Sequence, residues 1–484
     1  MLDPGAETRD TFALHGRRAI QLESDGLSHP HGPRGDLQVF TRYEDVTHLA
    51  ASSGSFWLGS ARSSYAVARR SFVDPQGPER LVASLLSRLA RRPGGAAQLA
   101  RMAEVERQAR LPAPVRATWF LLVLCLLFYA LQLEQGPRLL RAGALVPGLV
   151  QEGDLWRLVT ANLLHGLPEL PLHLLLNMLG LVALGSLVER VLGPARTACV
   201  MGASGLVAML AGGLTTPGSL VGASGVVFGL AGALVWLELR CADRLPAWLR
   251  IPRRSLATFL LANAALMLLV PFISGAAHVG GFGAGLAAAA LVAGPAPGPR
   301  QSPAWVRAGC AGVLLATGAA LGALGVELFG AGDFDARYDA RLLRLQRVSP
   351  LELEARAREI AGARDATPEA LGAALRLAER AAADTLRRDA EILATLAELQ
   401  LLLGRSGEAL ASVGEAIALA PHERSHRDLR REILRRRAQE LLPDPSAPEP
   451  WRGWPAPELP STPRALEARA PEAPARDSRA TLRA

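Results

Sequence analysis

A serine hydroxyl becomes a nucleophile when a nearby imidazole can take its proton, and this sequence sets one of each at the head of an apolar segment. Ser224 lies at the start of the run VGASGVVFGLAGA, and His278 lies in AHVGGFGAG. A third apolar segment carries His173 and Asn177 close to its start, four residues apart and so on one face of a helix. Hydrogen-bonding side chains are costly in lipid, so each of these four needs a reason to be there. Acyl transfer supplies one. The histidine takes the hydroxyl proton as general base and later returns it to a leaving amine. His173 and Asn177, with the backbone N–H of Ser224, could donate hydrogen bonds to the oxyanion that develops.

Such chemistry needs elements that bring the four residues to one depth. Seven segments approach the ~20 apolar residues that a helix needs to cross a bilayer. They run over roughly 115–133, 171–190, 195–214, 222–240, 255–273, 277–296 and 304–328. Arginines follow the second, fourth and sixth segments (Arg190 and Arg196; Arg240, Arg244, Arg250, Arg253 and Arg254; Arg300 and Arg307). The short loops after the third and fifth carry none. That bias places the N-terminus in the cytoplasm and, after seven crossings, the C-terminal region outside. The second, fourth and sixth segments then all run from outside to inside, and His173, Asn177, Ser224 and His278 share one layer near the outer surface. Gly225 and Gly229, and Gly281 and Gly285, stand four apart on the serine and histidine segments. Small residues at that spacing let two backbones approach closely. Between the first two segments, GALVPGLVQEGDLWRLVTANLLHG is amphipathic and too broken to span, which predicts an interfacial loop.

Composition narrows the alternatives. Half of the 484 residues are hydrophobic, the formal net charge is +8, and all the basicity is arginine, since no lysine occurs. No arginine run is interleaved with aromatics, so nothing points to nucleic acid. Cys125, Cys199, Cys241 and Cys310 are isolated, which predicts neither disulfides nor a zinc site. No HExxH and no intramembrane aspartate pair serves another intramembrane protease chemistry, and no cofactor is implied. A transporter is disfavoured by the absence of an inverted repeat and of a charged midplane residue. Ser204 sits in a second GASG string, but mid-segment, where it reads as a packing serine. Glu189 and Arg190, at a segment end, read as interfacial anchors. No apolar stretch of signal-peptide type occurs before Arg110, so insertion relies on the internal spans.

The flanks are polar. Residues 1–35 read as a disordered leader, and 36–112 as a small α+β domain. There, short apolar runs broken by Ser/Gly pairs suggest antiparallel strands, followed by a helix with Leu81, Leu85, Leu86 and Leu89 on one face. Strands closed by one helix resemble a pleckstrin-homology-like domain. The membrane domain is expected over 113–298 and an extra transmembrane helix over 303–330. Over 350–440 the chain reads as helical, with Leu393, Leu396, Gly404, Ala409, Ala416 and Pro421 at the spacing of one tetratricopeptide repeat and a degenerate partner at 355–388. A lone repeat cannot bury its own face, which implies a neighbouring helix or a protein partner. Residues 443–484 are proline-rich and read as a disordered tail. The fold class expected is therefore mainly α: a polytopic helix bundle with a six-helix core and a seventh span, a small N-terminal α+β domain and a C-terminal α-hairpin repeat.

Four motifs in order carry a resemblance to the rhomboid proteases: WRLVTANLLH (Trp156 to His165), HLLLN (His173 to Asn177), GASG (Gly222 to Gly225) and HVGGFGAG (His278 to Gly285). They resemble that family's WR, HxxxN, GxSG and HxxGxxxG motifs, over about residues 115–296. The resemblance implies an intramembrane serine endopeptidase with Ser224 as nucleophile and His278 as base, a dyad without a third acid. It implies oxyanion-stabilising roles for His173 and Asn177, and makes Gly222 the glycine before the nucleophile. Gly281 and Gly285 become helix-packing positions, and His165 a structural loop histidine. Phe228 matches a position where an aromatic ring packs on the histidine, with tyrosine frequent in the family. The segment GLPELPL between His165 and His173 is longer than in compact bacterial members. Substrates would be transmembrane helices with small or helix-destabilising residues near the outer face. The expected setting is a bacterial inner membrane. The competing reading is an inactive rhomboid-like scaffold that binds transmembrane clients and recruits partners through the repeat region.

Overall fold

A computed structural model describes residues 10–441, apart from 32–34, 36, 53, 61–63, 110–114, 167–170, 217, 246–249, 251–252, 270–273 and 295–301. The chain starts in β structure. Strands β1 (Asp10–Leu14), β2 (Arg18–Leu22), β3 (Gly26–His31) and β4 (Leu37–Arg42) form one antiparallel sheet, and β5 (Val46–Ala51), β6 (Ser55–Ser60) and β7 (Ser64–Ala68) form a second. This corrects the reading of 1–35 as a leader, because residues 10–31 are strands. Phe12, Leu14, Ile20, Leu22 and Leu27 alternate inward from them into a buried core. Helix α1 (Gly77–Ala90) closes that core with Leu81, Leu85 and Leu89, and α2 (Gly95–Ala109) follows. Leu86 does not join the stripe: at 39% exposed it lies outside the four-residue period that buries the other three. The expected leader residues 1–9 and tail 443–484 lie outside the described residues.

The membrane domain begins with α3 (Arg116–Gln135). The broken segment after it folds into short helices α4 (Pro137–Gly143), α5 (Pro147–Gln151) and α6 (Arg157–Thr160), stitched by turns. Next come α7 (Leu172–Gly180), a π-turn at Leu181–Gly185 and α8 (Ser186–Leu192), a continuous run of 21 residues. Then follow α9 (Pro194–Thr215), α10 (Ser224–Arg240), α11 (Arg253–Leu269), α12 (Gly275–Val292) and α13 (Ala304–Phe329). Among the described residues, five helical runs are long and apolar enough to cross a membrane: α3, α7–α8, α9, α12 and α13. Two of the seven expected spans, α10 and α11, come out as helices of 17 residues.

Helix α10 is the hub: Val226, Leu230, Ala233, Leu234 and Leu237 lie in the same apolar core as residues of α3, α8 and α9. Its contact with α12 is backbone on backbone. A Cβ added to Gly281 would fall 2.2 Å from the Gly225 carbonyl oxygen, and one added to Gly285 would fall 2.0 Å from that of Gly229. No other residue fits at these two crossings. Glu189, expected as an interfacial anchor, is fully buried. Its carboxylate accepts from the backbone N–H groups of Ala117 and Thr118 and from the Thr118 hydroxyl, at 2.7–2.8 Å. It therefore caps the otherwise unpaired first turn of α3.

After α13 the chain forms α14 (Phe334–Arg344), α15 (Pro350–Ala361), α16 (Pro368–Asp384), α17 (Ala390–Leu402), α18 (Ser406–Leu419) and α19 (Arg424–Leu441). The hairpin α17–α18 turns at Gly404, whose φ of +73° suits glycine. Its apolar faces are covered within the chain: Leu393, Leu396 and Leu399 join a core with α15 and α16, and Val413 meets Ile433 of α19. The two soluble regions sit at opposite ends of α10. Arg250, counted above among the orienting arginines, is in fact buried, pairs with Glu238 near the end of α10 and donates to the Ser60 carbonyl of β6 at 3.0 Å. The C-terminal helices instead pack against the α4–α6 segment, at the end where α10 begins.

Candidate active site

Each polar residue reaches the site because of where its helix starts. Gly222 precedes α10 with φ +123°, a backbone conformation open to glycine, and its N–H donates to the Ala161 carbonyl at 2.8 Å. That turn sets Ser224 as the first residue of α10, where the backbone N–H groups lack intrahelical acceptors. On the facing helix, Ser274 caps the start of α12 by accepting from Ala277 N–H, and its Oγ lies 2.8 Å from the Thr216 hydroxyl at the end of α9. His278, one turn on, is thereby fixed at the same level as Ser224.

The outcome is a hydrogen bond: His278 Nε2 lies 2.8 Å from Ser224 Oγ. The Phe228 ring stacks on the imidazole at 4.2 Å between centroids and 12° between planes. His278 Nδ1 is buried and has no hydrogen-bond partner among the described residues. Glycines Gly281 and Gly285 hold α12 against α10, as described above, so that the two side chains are within reach.

His173 and Asn177 converge on Gly222. A Cβ at Gly222 would come within 2.8 Å of His173 Cε1, 2.9 Å of its Nε2 and 3.7 Å of Asn177 Nδ2. The missing side chain thus leaves room between these groups and the turn that carries Ser224. Asn177 spends one N–H on the His173 carbonyl at 3.1 Å, which leaves the second for another acceptor. His165 is fully buried, with its ring edge-on to that of His173 at 5.2 Å. Its backbone is held as well: Gln132 of α3 accepts from His165 N–H at 3.0 Å and donates to its carbonyl at 2.7 Å. Most of the longer segment between His165 and His173 lies outside the described residues.

Reasoning from sequence missed Gln132, Thr216 and Ser274. Gln132 could have been found, since an amide buried in an apolar span needs a partner by the same rule that singled out Asn177. Ser204, read as packing, is buried and donates to the Val200 carbonyl at 2.7 Å. The four cysteines are free thiols. Among the described residues no cluster of His, Cys, Asp or Glu could hold a metal ion.

Nucleophile, base and a polar recess for negative charge, set at the head of apolar helices, make an arrangement that can do acyl transfer. Comparison with known proteins points the same way. The family model described as Rhomboid domain matches residues 152–295. Over 184 residues the chain is 27% identical to rhomboid protease GluP of Bacillus subtilis, which covers 37% of this chain. The chain spans about a third of the length of that relative, 35%. These likenesses support the rhomboid family for the membrane domain, and with it an intramembrane protease-like role in an integral membrane protein.

Proposed function

We propose that this protein is an intramembrane serine endopeptidase that cuts transmembrane segments of other membrane proteins with a Ser224–His278 dyad. The observation that carries the reading is the 2.8 Å contact between Ser224 Oγ and His278 Nε2. Ser224 Oγ attacks the scissile carbonyl carbon while His278 Nε2 takes the hydroxyl proton. The negative oxygen that forms is met by the Ser224 N–H and by the side chains of His173 and Asn177 beside Gly222. The C–N bond then breaks, and the proton on His278 passes to the departing amine. Water, activated by the same imidazole, hydrolyses the acyl-serine and restores the hydroxyl. Phe228 keeps the ring in plane for both transfers, in the place of a third acid.

Access follows from depth. Ser224 and His278 lie within the first turn of α10 and α12, so water and an unwinding substrate enter from the end that faces the α4–α6 segment. With the arginine bias that end is the outer one, and the N-terminal β domain is cytoplasmic. Substrates are helices with small or helix-destabilising residues near that surface, because a scissile peptide must leave its helix to meet the serine. The C-terminal hairpins, similar in spacing to tetratricopeptide repeats, select or recruit protein partners on the same side. The setting is a bacterial inner membrane. Purified protein, reconstituted with a transmembrane substrate bearing such residues, is expected to cleave it. Ser224→Ala and His278→Ala should each lower the rate by at least ~10³-fold. Undiminished cleavage by the serine variant overturns the dyad, and full biological function of that variant favours the scaffold reading.

A further inference from the structure

The C-terminal helices do more than hang from the last span. Three separate contacts tie them to the loops that carry the site. First, charges interlock. Asp154 accepts from the buried Arg157 of the WR pair at 2.9 Å and from Arg341 of α14 at 2.8 Å. Arg141 of α4 pairs with Asp335 at 2.5 Å and with Glu359 of α15. Second, backbones touch: a Cβ on Gly148 of α5 would fall 2.4 Å from the Arg347 carbonyl oxygen between α14 and α15. Third, Ser219 presents its hydroxyl and backbone N–H towards the Glu352 carboxylate of α15, which accepts from the Tyr338 hydroxyl at 3.3 Å. Beside it, Leu220 is bridged to Leu145 by reciprocal backbone hydrogen bonds of 3.0 and 2.9 Å.

Ser219 stands five residues before Ser224, in the turn that runs through Gly222 into α10. That turn is held on one side by Leu145 and Ala161 of the membrane domain and at Ser219 by α15. We propose that Glu352 is a positioning residue for the nucleophile, supplied by the C-terminal helical region, and that docking of α14–α15 on the α4–α6 segment sets the turn over Ser219–Gly222. Glu352 touches neither the substrate nor the reacting atoms; it acts through Ser219. The C-terminal region is therefore part of the active enzyme, and a partner that pulls α15 from the loop lowers activity without touching the dyad. The inference deepens the proteolytic reading and rests on it.

Two readouts on the full-length protein test it. Backbone hydrogen exchange over residues 218–223 is compared between wild type, Glu352→Gln and Glu352→Ala, and cleavage is followed in the same proteins with Ser224→Ala as reference. Glu352→Ala should speed exchange in that turn at least ~10-fold, and lower kcat by about as much with KM little changed. Glu352→Gln keeps an oxygen acceptor for Ser219 and should restore most of both. Gly148→Ala, which prises the loop from the Arg347 carbonyl, should mimic Glu352→Ala. Unchanged exchange in Glu352→Ala overturns the proposal, as does a loss of activity that only follows a lower folded fraction in thermal unfolding. Failure of the proteolytic reading looks different: cleavage would be the same with and without Ser224, whatever the exchange shows.

Discussion

At the scale of single residues, the site is a set of small omissions as much as of functional groups. Ser224 and His278 have their contact, yet the recess beside it exists because Gly222 has no side chain. Gly222→Ala would place a methyl within 2.8–2.9 Å of the His173 ring, at a φ of +123° that L-residues avoid. The expected result is a cleavage rate lower by ~10²-fold or more, the scale of a lost oxyanion donor, with the folded state kept; steady-state kinetics beside a thermal midpoint decides it. Phe228→Ala is expected to cost less, about tenfold, and Phe228→Tyr almost nothing, since the stack is what orients His278. The sequence revealed His173, Asn177, Ser224 and His278 because polar groups in lipid are rare and therefore conspicuous, whereas Gly222 and Phe228 were marked only by the resemblance to rhomboid motifs. Gln132 was missed although its amide in an apolar span marks it, because its partners are the backbone groups of His165, 33 residues away, and belong to no motif. Glu189 was visible but misread: its partners, the first N–H groups of α3, lie 71 and 72 residues away in the chain.

At the scale of elements, helix contact sets the Ser224–His278 distance. The crossings of α10 and α12 at Gly281 and Gly285 leave no room for even a methyl group, so a substitution there must slide one helix past the other. Gly285→Ala is expected to destabilise the bundle by about 1–3 kcal/mol and to lengthen the Ser224–His278 contact, with loss of labelling by serine-reactive probes. Gly283, on the same helix, has nothing within 4 Å of an added Cβ. Gly283→Ala should leave both unchanged, and an equal effect of the two variants would remove the packing argument. The glycine spacing made this pairing legible in the sequence. Helix length was less so: the apolar runs at 222–240 and 255–273 gave helices of 17 residues each, the first because the serine turn takes up residues that hydropathy alone counts as span. The strands of residues 10–31 were missed because short polar-apolar alternation in a Ser/His/Arg-rich stretch resembles an unstructured leader until partner strands are known.

At the scale of the whole molecule, the two soluble regions grip opposite ends of the bundle. Arg250 ties the β domain to the far end of α10, and Asp154 and Arg141 tie the C-terminal helices to the end where the site opens. Reporters active on one side of the membrane, fused to the N- and C-terminus, should therefore report opposite sides; a shared side would remove the seventh crossing. The β domain also carries a pH dependence of its own. His29 and His48 are both buried, and burial above all holds each imidazole down to about 4, with nearby Arg250 adding to the effect at His48. Both are neutral in the folded domain and take up protons more readily when unfolded. Their contribution is full above the unfolded value near 6.5 and declines as the pH falls from there towards 4, by on the order of 1–3 kcal/mol each. Chemical denaturation of the full chain between pH 7.5 and 4.5, read at Trp57, should show that loss, and substitution of His29 by phenylalanine should reduce it. Composition made the division into flanks and bundle legible, whereas the grip between them rests on ion pairs across long stretches of chain.

The most direct measurement is the site of covalent attack by a fluorophosphonate on the full-length protein in detergent, mapped by peptide mass spectrometry. The dyad predicts a single phosphonyl adduct on Ser224, absent in Ser224→Ala and strongly slowed in His278→Ala. An adduct on another serine, or labelling of Ser224 at equal speed without His278, would contradict the account.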